Sequence, residues 1–288
     1  MVVRTAKFDV CMHSWRGVED SGHVSAPVIL LHGFLGTGHD WNYMMQGVRA
    51  QDLLSVCYYS IAPDIPGHGK TLTRLHHTSV ASTQQWYSME SVAETIVECL
   101  DALKIQRVWV CGYSMGGRIA LYLALRFPER CCGAVIASGT AGLRTDNERH
   151  ARCQHDAMLA QRLETESLEE FLRMWYNQQL FDTFRQHSAF AHVIQRRVES
   201  RPHELALVLR ALGTGAQPNL WDELSSARVP ITFVAGEKDA KFVALARELH
   251  SMTPHSHLAI LPSVGHVLHY EAADALASVL VGMIRRAA

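Results

Sequence analysis

The chain contains the three residue types that together activate a serine, each where a strand is expected to end. Ser114 lies at the centre of the run GYSMG, residues 112–116. A serine hydroxyl needs a histidine to take its proton and a carboxylate to orient that histidine. The G-x-S-x-G spacing after an apolar strand and before a helix predicts a sharp turn that exposes the serine. The alternative is a glycine-rich turn that only packs a helix on a sheet.

Asp239 and His266 are the predicted partners of Ser114. Asp239 follows the apolar run 231–234, and His266 follows the run 258–261 and a glycine. The carboxyl ends of parallel strands meet at one edge of a sheet, and the order Ser, Asp, His is one known arrangement of such a triad. Among the 17 histidines, this position distinguishes His266 from His269, which is assigned no role.

Stabilising an oxyanion beside Ser114 requires two backbone amides. The amide of Met115 lies at the start of the expected helix, where donors attract negative charge. The second candidate is the amide of Phe34 in HGFLG, residues 32–36, which follows an early strand. These glycines could instead merely end the strand. Asp64, in DIPGHG at residues 64–69, is interpreted as a structural residue that caps or bonds local amides.

Short, continuous apolar runs alternate with helical patterns, as expected for a parallel sheet that is covered on both faces. With the serine turn, this alternation predicts the α/β class and the α/β-hydrolase fold, a mostly parallel, doubly wound sheet with an inserted helical lid. The predicted strands are residues 28–31, 57–61, 108–111, 134–137 and 231–234, and the predicted helices are residues 89–103, 118–126 and 241–252.

The alternation stops at residues 139–215, where the patterns are helical. Asp146 is predicted to cap a helix that runs to about residue 163, and residues 167–170 form a capping-box pattern. Pro202 suits a helix start, and residues 213–215 suit a helix end. We therefore predict that residues 139–215 form a helical lid and that residues 1–138 and 216–288 form the core.

Composition limits the partners and the compartment. The 288 residues include 27 Lys+Arg and 28 Asp+Glu, so the net charge is close to zero and does not attract nucleic acid or an anionic membrane. The longest apolar stretches, 27–31 and 276–284, are shorter than the ~20 residues of a membrane span. Seven scattered cysteines form neither a disulfide framework nor a metal pattern. Because the start lacks a targeting pattern, we expect a cytoplasmic location, or a plastid or other organelle if the chain belongs to a larger targeted fusion.

The scaffold alone does not indicate a particular reaction, but six stretches of sequence indicate a particular family. They are residues 34–41, 64–69, 112–118, 175–178, 212–218 and 236–242. They resemble the 2-succinyl-6-hydroxy-2,4-cyclohexadiene-1-carboxylate synthases of menaquinone biosynthesis, the MenH family, and the matching domain of the fused plant and algal phylloquinone enzyme. The resemblance spans nearly the whole chain. After His266 it departs, since a proline that the family often carries is missing.

The resemblance implies a lyase that eliminates pyruvate from 2-succinyl-5-enolpyruvyl-6-hydroxy-3-cyclohexene-1-carboxylate without hydrolysis. The alkoxide of Ser114 would remove the ring proton next to the succinyl carbonyl, and the amides of Phe34 and Met115 would hold the oxyanion. It implies no metal and no organic cofactor. The implied partners are a small-molecule polycarboxylate substrate and neighbouring enzymes of the pathway.

A substrate with three carboxylates favours arginine, whose planar fork binds carboxylates in bidentate fashion. Arg118 lies one helical turn after Ser114, and the resemblance places a carboxylate ligand there. The resemblance also implies that Arg152 and Arg197 bind substrate carboxylates. Because Arg196 is adjacent, either Arg196 or Arg197 could be the matching residue. The alternatives are a structural ion pair for Arg118 and a solvated helix face for the others.

Two aromatic residues, Tyr113 and Trp175, also match substrate contacts of the family, although Trp175 lies on an apolar helix stripe that core packing would equally explain. Two rival functions use the same scaffold. A carboxylesterase or carbon–carbon bond hydrolase would use the same triad on a neutral acyl substrate, which the lid arginines disfavour. A non-enzymatic receptor would tolerate a broken triad, whereas all three members are present.

Overall fold

The computed structural model describes residues 1–17, 26–47, 50–57, 59–74 and 80–287. These residues form a nine-stranded sheet. The strands are β1 (Val2–Arg4), β2 (Phe8–Arg16), β3 (Val28–Leu31), β4 (Tyr59–Pro63), β5 (Leu72–Thr73), β6 (Val108–Tyr113), β7 (Cys131–Ala137), β8 (Ile231–Gly236) and β9 (His257–Leu261).

The sheet is mostly parallel, as predicted. Its strand order is β1-β2-β4-β3-β6-β7-β8-β9, with β5 beside β2. The strands from β4 through β9 in this order pair in parallel, whereas β2 pairs antiparallel with β1, β4 and β5. The antiparallel edge was not predicted. In β2 the buried Phe8, Val10 and Met12 alternate with more exposed residues, which is the pattern of a strand covered on one face.

The described residues also form α-helices, some of which cover the two faces of the sheet. They are α1 (Asn42–Met45), α2 (Ala50–Cys57), α3 (Val80–Gln85), α4 (Met89–Ala102), α5 (Met115–Arg126), α6 (Asp146–Thr165), α7 (Leu168–Tyr176), α8 (Asp182–Arg185), α9 (Phe190–Arg197), α10 (Pro202–Leu212), α11 (Ala240–Met252), α12 (Leu268–Glu271) and α13 (Ala273–Ala287). One apolar cluster packs α4, α5 and α11 on the sheet, and a second packs α2 and α13 on the opposite face. This is the doubly wound arrangement that the alternation predicts.

Two local predictions were wrong. The strand predicted at 57–61 begins at Tyr59, because Cys57 ends α2 and its thiol donates to the Leu53 carbonyl at 3.0 Å; residue 58 lies outside the described residues. Asp146 does not cap α6. Thr145 does, since its hydroxyl accepts from the Glu148 amide at 3.2 Å and the Glu148 carboxylate accepts from the Thr145 amide at 2.9 Å. This reciprocal pair is a capping box.

The described chain between β7 and β8 contains the five α-helices α6 to α10, two short 3-10 helices (Gln179–Phe181 and Trp221–Ser226) and no strand. As predicted, α7 begins with a capping box at Ser167 and α10 begins at Pro202. Side chains of this segment line a cavity together with Ser114 at the carboxyl edge of the sheet. Within the described ranges, no helix has both the length and the apolar character needed to cross a membrane.

Candidate active site

The turn between β6 and α5 places Ser114 in a strained backbone conformation. Its φ is 52° and its ψ is −108°, outside the regions that a side chain normally favours. A Cβ added at Gly112 would lie 2.0 Å from the Gly116 carbonyl oxygen, and one added at Gly116 would lie 2.1 Å from the Leu31 carbonyl oxygen. Only glycine fits at these two positions because both contacts are with backbone that cannot turn away.

Gly112→Ala is therefore expected to destabilise the fold by about 1–3 kcal/mol or more and to abolish activity, since overpacking against backbone must displace the turn that carries Ser114. Urea unfolding measures the free energy. Gly282→Ala is the matched control: it lies in the interior of α13, and an added Cβ would meet only the end of the Arg286 side chain at 3.4 Å. Because alanine has a higher helix propensity than glycine, the free energy of unfolding of this variant should be unchanged or higher by up to about 1 kcal/mol. Equal stability of both variants would contradict the steric argument.

The three predicted catalytic side chains meet above this turn. His266 Nε2 lies 3.3 Å from Ser114 Oγ, and His266 Nδ1 lies 2.6 Å from Asp239 Oδ2. His266 and Asp239 are buried, whereas Ser114 is partly accessible. Since the Asp239 carboxylate can only accept, Nδ1 carries the proton and Nε2 is free to take one from the serine.

The surrounding structure fixes the two partners of Ser114. Asp239 is the N-cap of α11, and its Oδ1 accepts from the Phe242 amide at 3.3 Å while Oδ2 faces the histidine. The Ser138 hydroxyl donates to the backbone carbonyl of His266 at 3.2 Å. The carboxylate and the imidazole are thus held by elements that follow β8, β9 and β7, which all end at the same sheet edge.

The candidate oxyanion hole lies beside Ser114. Met115 is the first residue of α5, and amides in the first turn of a helix have no acceptor within it. Phe34 lines the same cavity as Ser114 and Met115. Its loop is held by the buried His32, which accepts from the Ile65 amide at 2.9 Å through Nε2 and therefore donates through Nδ1 to the Gly33 carbonyl at 2.8 Å. No motif in the sequence indicates this positioning role of His32.

A second buried histidine, His68, packs against the His32 ring at 5.0 Å and the Phe34 ring at 5.7 Å. Burial, and then the nearby His32, lowers the pKa of His68 to about 3. In the unfolded chain a histidine titrates near 6.5, so the unfolded state binds more protons between these values. The stability contributed by neutral His68 is therefore present above pH 6.5 and is lost as the pH falls toward 3.

We expect His68→Phe to reduce the loss of unfolding free energy between pH 7.5 and pH 5 by about 2 kcal/mol, because the variant has no imidazole to protonate on unfolding. Urea unfolding at the two pH values gives the difference for each protein. A change in packing caused by the substitution alters the unfolding free energy equally at both pH values, so it does not affect the difference between them. An unchanged difference would show that His68 is not kept neutral by burial.

Asp64 has the structural role that its loop predicts. Its carboxylate accepts from the Gly38 amide at 2.8 Å and the Lys70 amide at 2.8 Å, and His13 Nε2 lies 3.1 Å away. Among the described residues, Cys11, His13 and Asp64 form the one group of possible metal ligands within mutual reach. The Asp64 carboxylate already accepts hydrogen bonds from two backbone amides and contacts the His13 imidazole. This cluster is therefore better explained as a set of hydrogen bonds that joins β2 to the loops after β3 and β4.

A large cavity of about 870 Å³ opens between the sheet edge and helices α6, α7, α8 and α10. Ser114, Arg118, Arg152 and Trp175 line it. The ring of Trp175 stacks on Phe171 at 5.9 Å, so this residue has both the predicted cavity position and the packing role that was its alternative.

Arg118 is buried in the wall of the large cavity. Its Nη1 donates to the Leu212 carbonyl at 2.8 Å and lies 3.4 Å from Gln217 Oε1, both neutral acceptors. Burial, and then the charge of Arg152, lowers the pKa of Arg118 to about 10. Within the described parts of the chain, no carboxylate forms an ion pair with Arg118, so the predicted alternative of a structural ion pair does not apply there. A buried guanidinium that contacts no carboxylate favours an anionic ligand.

Arg152 reaches the same cavity from α6, but it is paired. Its Nε donates to Asp156 Oδ1 at 2.8 Å, one turn along the helix. Asp156 is buried and also accepts from the Gly215 amide at 3.3 Å. The pair orients Arg152 toward the cavity and reduces its net charge.

Arg197, Tyr113 and Ser114 line a second, smaller cavity of about 60 Å³. Arg197 donates to Asp40 Oδ2 at 2.5 Å, and its Nε lies 3.5 Å from the Tyr176 hydroxyl. Arg196 instead donates to Asp40 Oδ1 at 3.1 Å and is not part of the cavity wall. The structure thus places Arg197, and not its neighbour, at the site.

Asp40 is a buried anion that the sequence analysis did not select. Burial would raise the pKa of Asp40, but the charge and hydrogen bond of Arg197 outweigh it and hold the pKa well below its usual range. The Tyr270 hydroxyl also donates to it at 3.1 Å. No local pattern could have indicated this role, because Asp40 and Arg197 are 157 residues apart.

Comparison with known proteins first gives the class. Residues 26–273 match the family model described as alpha/beta hydrolase fold. The chain is 31% identical to 2-succinyl-6-hydroxy-2,4-cyclohexadiene-1-carboxylate synthase of Enterobacter sp., a match that covers 90% of this chain and 91% of that protein. The structure of MenH from S. aureus superposes with a TM-score of 0.83 at 26% identity, covering 96% of this chain and 98% of that one. The chain belongs to the 2-succinyl-6-hydroxy-2,4-cyclohexadiene-1-carboxylate synthase family.

A longer relative is also similar. This chain is 34% identical to Protein PHYLLO, chloroplastic, of Arabidopsis thaliana over 84% of its own length. It spans only 14% of the length of that protein.

Proposed function

We propose that the protein eliminates pyruvate from 2-succinyl-5-enolpyruvyl-6-hydroxy-3-cyclohexene-1-carboxylate to give 2-succinyl-6-hydroxy-2,4-cyclohexadiene-1-carboxylate. The observation that carries this proposal is the combination of an intact triad with Arg118, a buried guanidinium whose hydrogen bonds go to neutral acceptors, in one cavity. A neutral acyl substrate would leave that guanidinium without a counter-charge, whereas a polycarboxylate supplies one.

The reaction begins with proton transfer. His266 Nε2 takes the proton of Ser114, and the resulting alkoxide removes the proton from the ring carbon next to the succinyl carbonyl. The electron pair of that C–H bond forms an enolate, whose oxygen accepts hydrogen bonds from the amides of Phe34 and Met115. Asp239 stabilises the imidazolium that forms meanwhile.

The enolate then expels the leaving group. Its carbonyl re-forms, the ring double bond shifts to the 2,4-diene, and the bond between the ring carbon and the enolpyruvyl oxygen breaks. The departing enolate gains a proton at its terminal carbon and becomes pyruvate. One proton is removed and one is returned, so the triad ends as it began. No bond forms between Ser114 and the substrate.

Residues 139–215 are, in this proposal, a cap that encloses the substrate over the core formed by 1–138 and 216–288. Arg118, Arg152 and Arg197 bind its carboxylates, and Tyr113 and Trp175 contact it. Because the bacterial relatives match over most of their length, a cytoplasmic location fits the proposal. The chloroplastic relative is a precedent for the alternative, a domain of a plastid fusion.

Offering the purified protein the enolpyruvyl intermediate and a p-nitrophenyl ester in parallel tests the proposal. We expect pyruvate and the cyclohexadiene in equal amounts and slow ester turnover. Fast ester hydrolysis without pyruvate would instead indicate the carboxylesterase, and neither reaction would favour the binding-only alternative.

A further inference from the structure

The loop that carries His266 has no regular secondary structure to hold it. It lies between the end of β9 at Leu261 and the start of α12 at Leu268. Backbone groups in such a loop must find partners outside a strand ladder or a helix. The His266 carbonyl accepts from the Leu268 amide at 3.1 Å, in addition to the Ser138 hydroxyl. The amides on either side of His266 need an acceptor of their own.

Glu271 provides that acceptor for both amides. Its Oε2 accepts from the Gly265 amide and its Oε1 accepts from the Val267 amide, each at 2.9 Å. Hydrogen bonds to an ionised acceptor are stronger than those between neutral groups. The two oxygens of one carboxylate therefore hold the peptide groups before and after His266.

A helix cap is the simpler explanation of part of this geometry. Glu271 ends α12, which begins after Val267, and the Glu271 amide donates to the Val267 carbonyl at 3.0 Å. Capping α12 requires a bond to the Val267 amide alone. The bond to the Gly265 amide lies outside the helix, on the other side of His266. It fixes the loop and not the helix.

The loop is also enclosed on its other side. A Cβ added at Gly265 would lie 2.0 Å from Thr183 Oγ1 and 3.3 Å from Glu271 Oε2. The loop thus passes between α8 and the Glu271 carboxylate. The His266 imidazole packs on the ring of Phe242 at 4.6 Å. Such ring contacts limit the tilt of the imidazole, but they do not fix the backbone from which it extends.

We propose that Glu271 is a positioning residue for the proton transfer. Its carboxylate holds the backbone of His266 where Nε2 lies 3.3 Å from Ser114 Oγ and Nδ1 lies 2.6 Å from Asp239 Oδ2. The role rests on the triad of the proposed function and not on a particular substrate. Glu271 lines neither cavity at Ser114, so its loss should affect the chemical step and leave binding unaltered.

Glu271→Gln tests this role, because the side-chain amide keeps one acceptor and turns its NH₂ group toward the other backbone amide. We expect kcat for pyruvate release to fall by roughly 10- to 100-fold, the effect of a displacement of about 1 Å. KM should stay within about twofold. Calorimetry with the cyclohexadiene product counts the binding sites, and kcat expressed per binding site excludes unfolded protein.

Glu170→Gln is the matched control. Glu170 completes the capping box of α7, where its carboxylate accepts from the Ser167 amide at 3.3 Å, and it lines neither cavity at Ser114. The same change there removes a helix cap and should leave kcat per binding site unaltered. An equal loss of kcat in both variants, or an unaltered kcat per binding site in Glu271→Gln, would reduce Glu271 to a helix cap and overturn the proposal.

Proton NMR gives a readout that a loss of stability alone would not change. The Nδ1 proton of His266 lies in a hydrogen bond of 2.6 Å to Asp239 and should resonate far downfield. Its resonance should move or broaden in Glu271→Gln and coincide with that of the unaltered protein in Glu170→Gln. An unmoved resonance in Glu271→Gln would show that Glu271 does not position His266.

Hydrogen exchange in the unaltered protein needs no variant to fold. The amides of Gly265 and Val267 should exchange slowly, because Glu271 accepts from both. Exchange of both at the rate of an open chain would overturn the proposal. Failure of the proposed function is a separate outcome: the unaltered protein would release no pyruvate. Hydrolysis of the p-nitrophenyl ester, which needs the same histidine, would then compare Glu271→Gln with Glu170→Gln.

Discussion

Ser114→Ala is expected to lower kcat for pyruvate release by roughly 10⁴- to 10⁶-fold, the range typical of removing the serine of a triad. The alanine side chain has no proton to give to His266 Nε2, which lies 3.3 Å from the hydroxyl, and offers no alkoxide to the ring proton. Substrate binding should change little, because the arginines proposed to bind the carboxylates remain. A coupled assay, in which the released pyruvate is reduced as it forms, gives kcat and KM separately.

The control for this prediction is Ser226→Ala, which removes an exposed hydroxyl whose contact is the Glu223 carbonyl. Its activity should equal that of the unaltered protein. Retention of more than a few per cent of the activity by the Ser114→Ala protein would mean that another group removes the ring proton, and the role given to the triad would be wrong.

Asp239→Asn is expected to lower kcat by roughly 10³- to 10⁴-fold. The carboxylate accepts the Nδ1 proton of His266 at 2.6 Å. An amide in its place can donate to Nδ1, which moves the ring proton to Nε2 and removes the acceptor for the serine proton. The fold should hold, because the amide oxygen can still accept from the Phe242 amide and cap α11.

Asp222→Asn changes an exposed carboxylate in the same way and should leave kcat unaltered. Combining Asp239→Asn with Ser114→Ala should cost hardly more than Ser114→Ala alone, because the two residues act as one unit. Additive losses would contradict the coupling of Asp239 to Ser114 through His266.

Much of the sheet could be predicted because its central strands are buried on both faces. The run at β3 is apolar at all four positions, and its bounds were predicted correctly. The antiparallel strand β2 was missed because only every second residue is buried there. The end of α2 was mistaken for strand, since a short apolar run does not distinguish a buried helix from a strand.

The candidate site could be predicted as far as chain order and local turns determine it. Ser114, Asp239 and His266 each follow a strand that ends at the same edge, so topology alone brings them together. The choice between Arg196 and Arg197 could not be made from sequence. Consecutive helical residues point about 100° apart, and which one faces the cavity depends on how α9 packs against Asp40.

The most direct test of the account is the single-turnover rate with substrate deuterated at the ring carbon next to the succinyl carbonyl. Enzyme in excess removes product release from the measured rate. If Ser114 removes that proton in the rate-limiting chemical step, the deuterated substrate should form diene and pyruvate more slowly than the protiated one by a primary isotope effect. Equal rates, with an acyl adduct on Ser114 in the quenched protein, would show that the serine attacks a carbonyl instead of acting as a base.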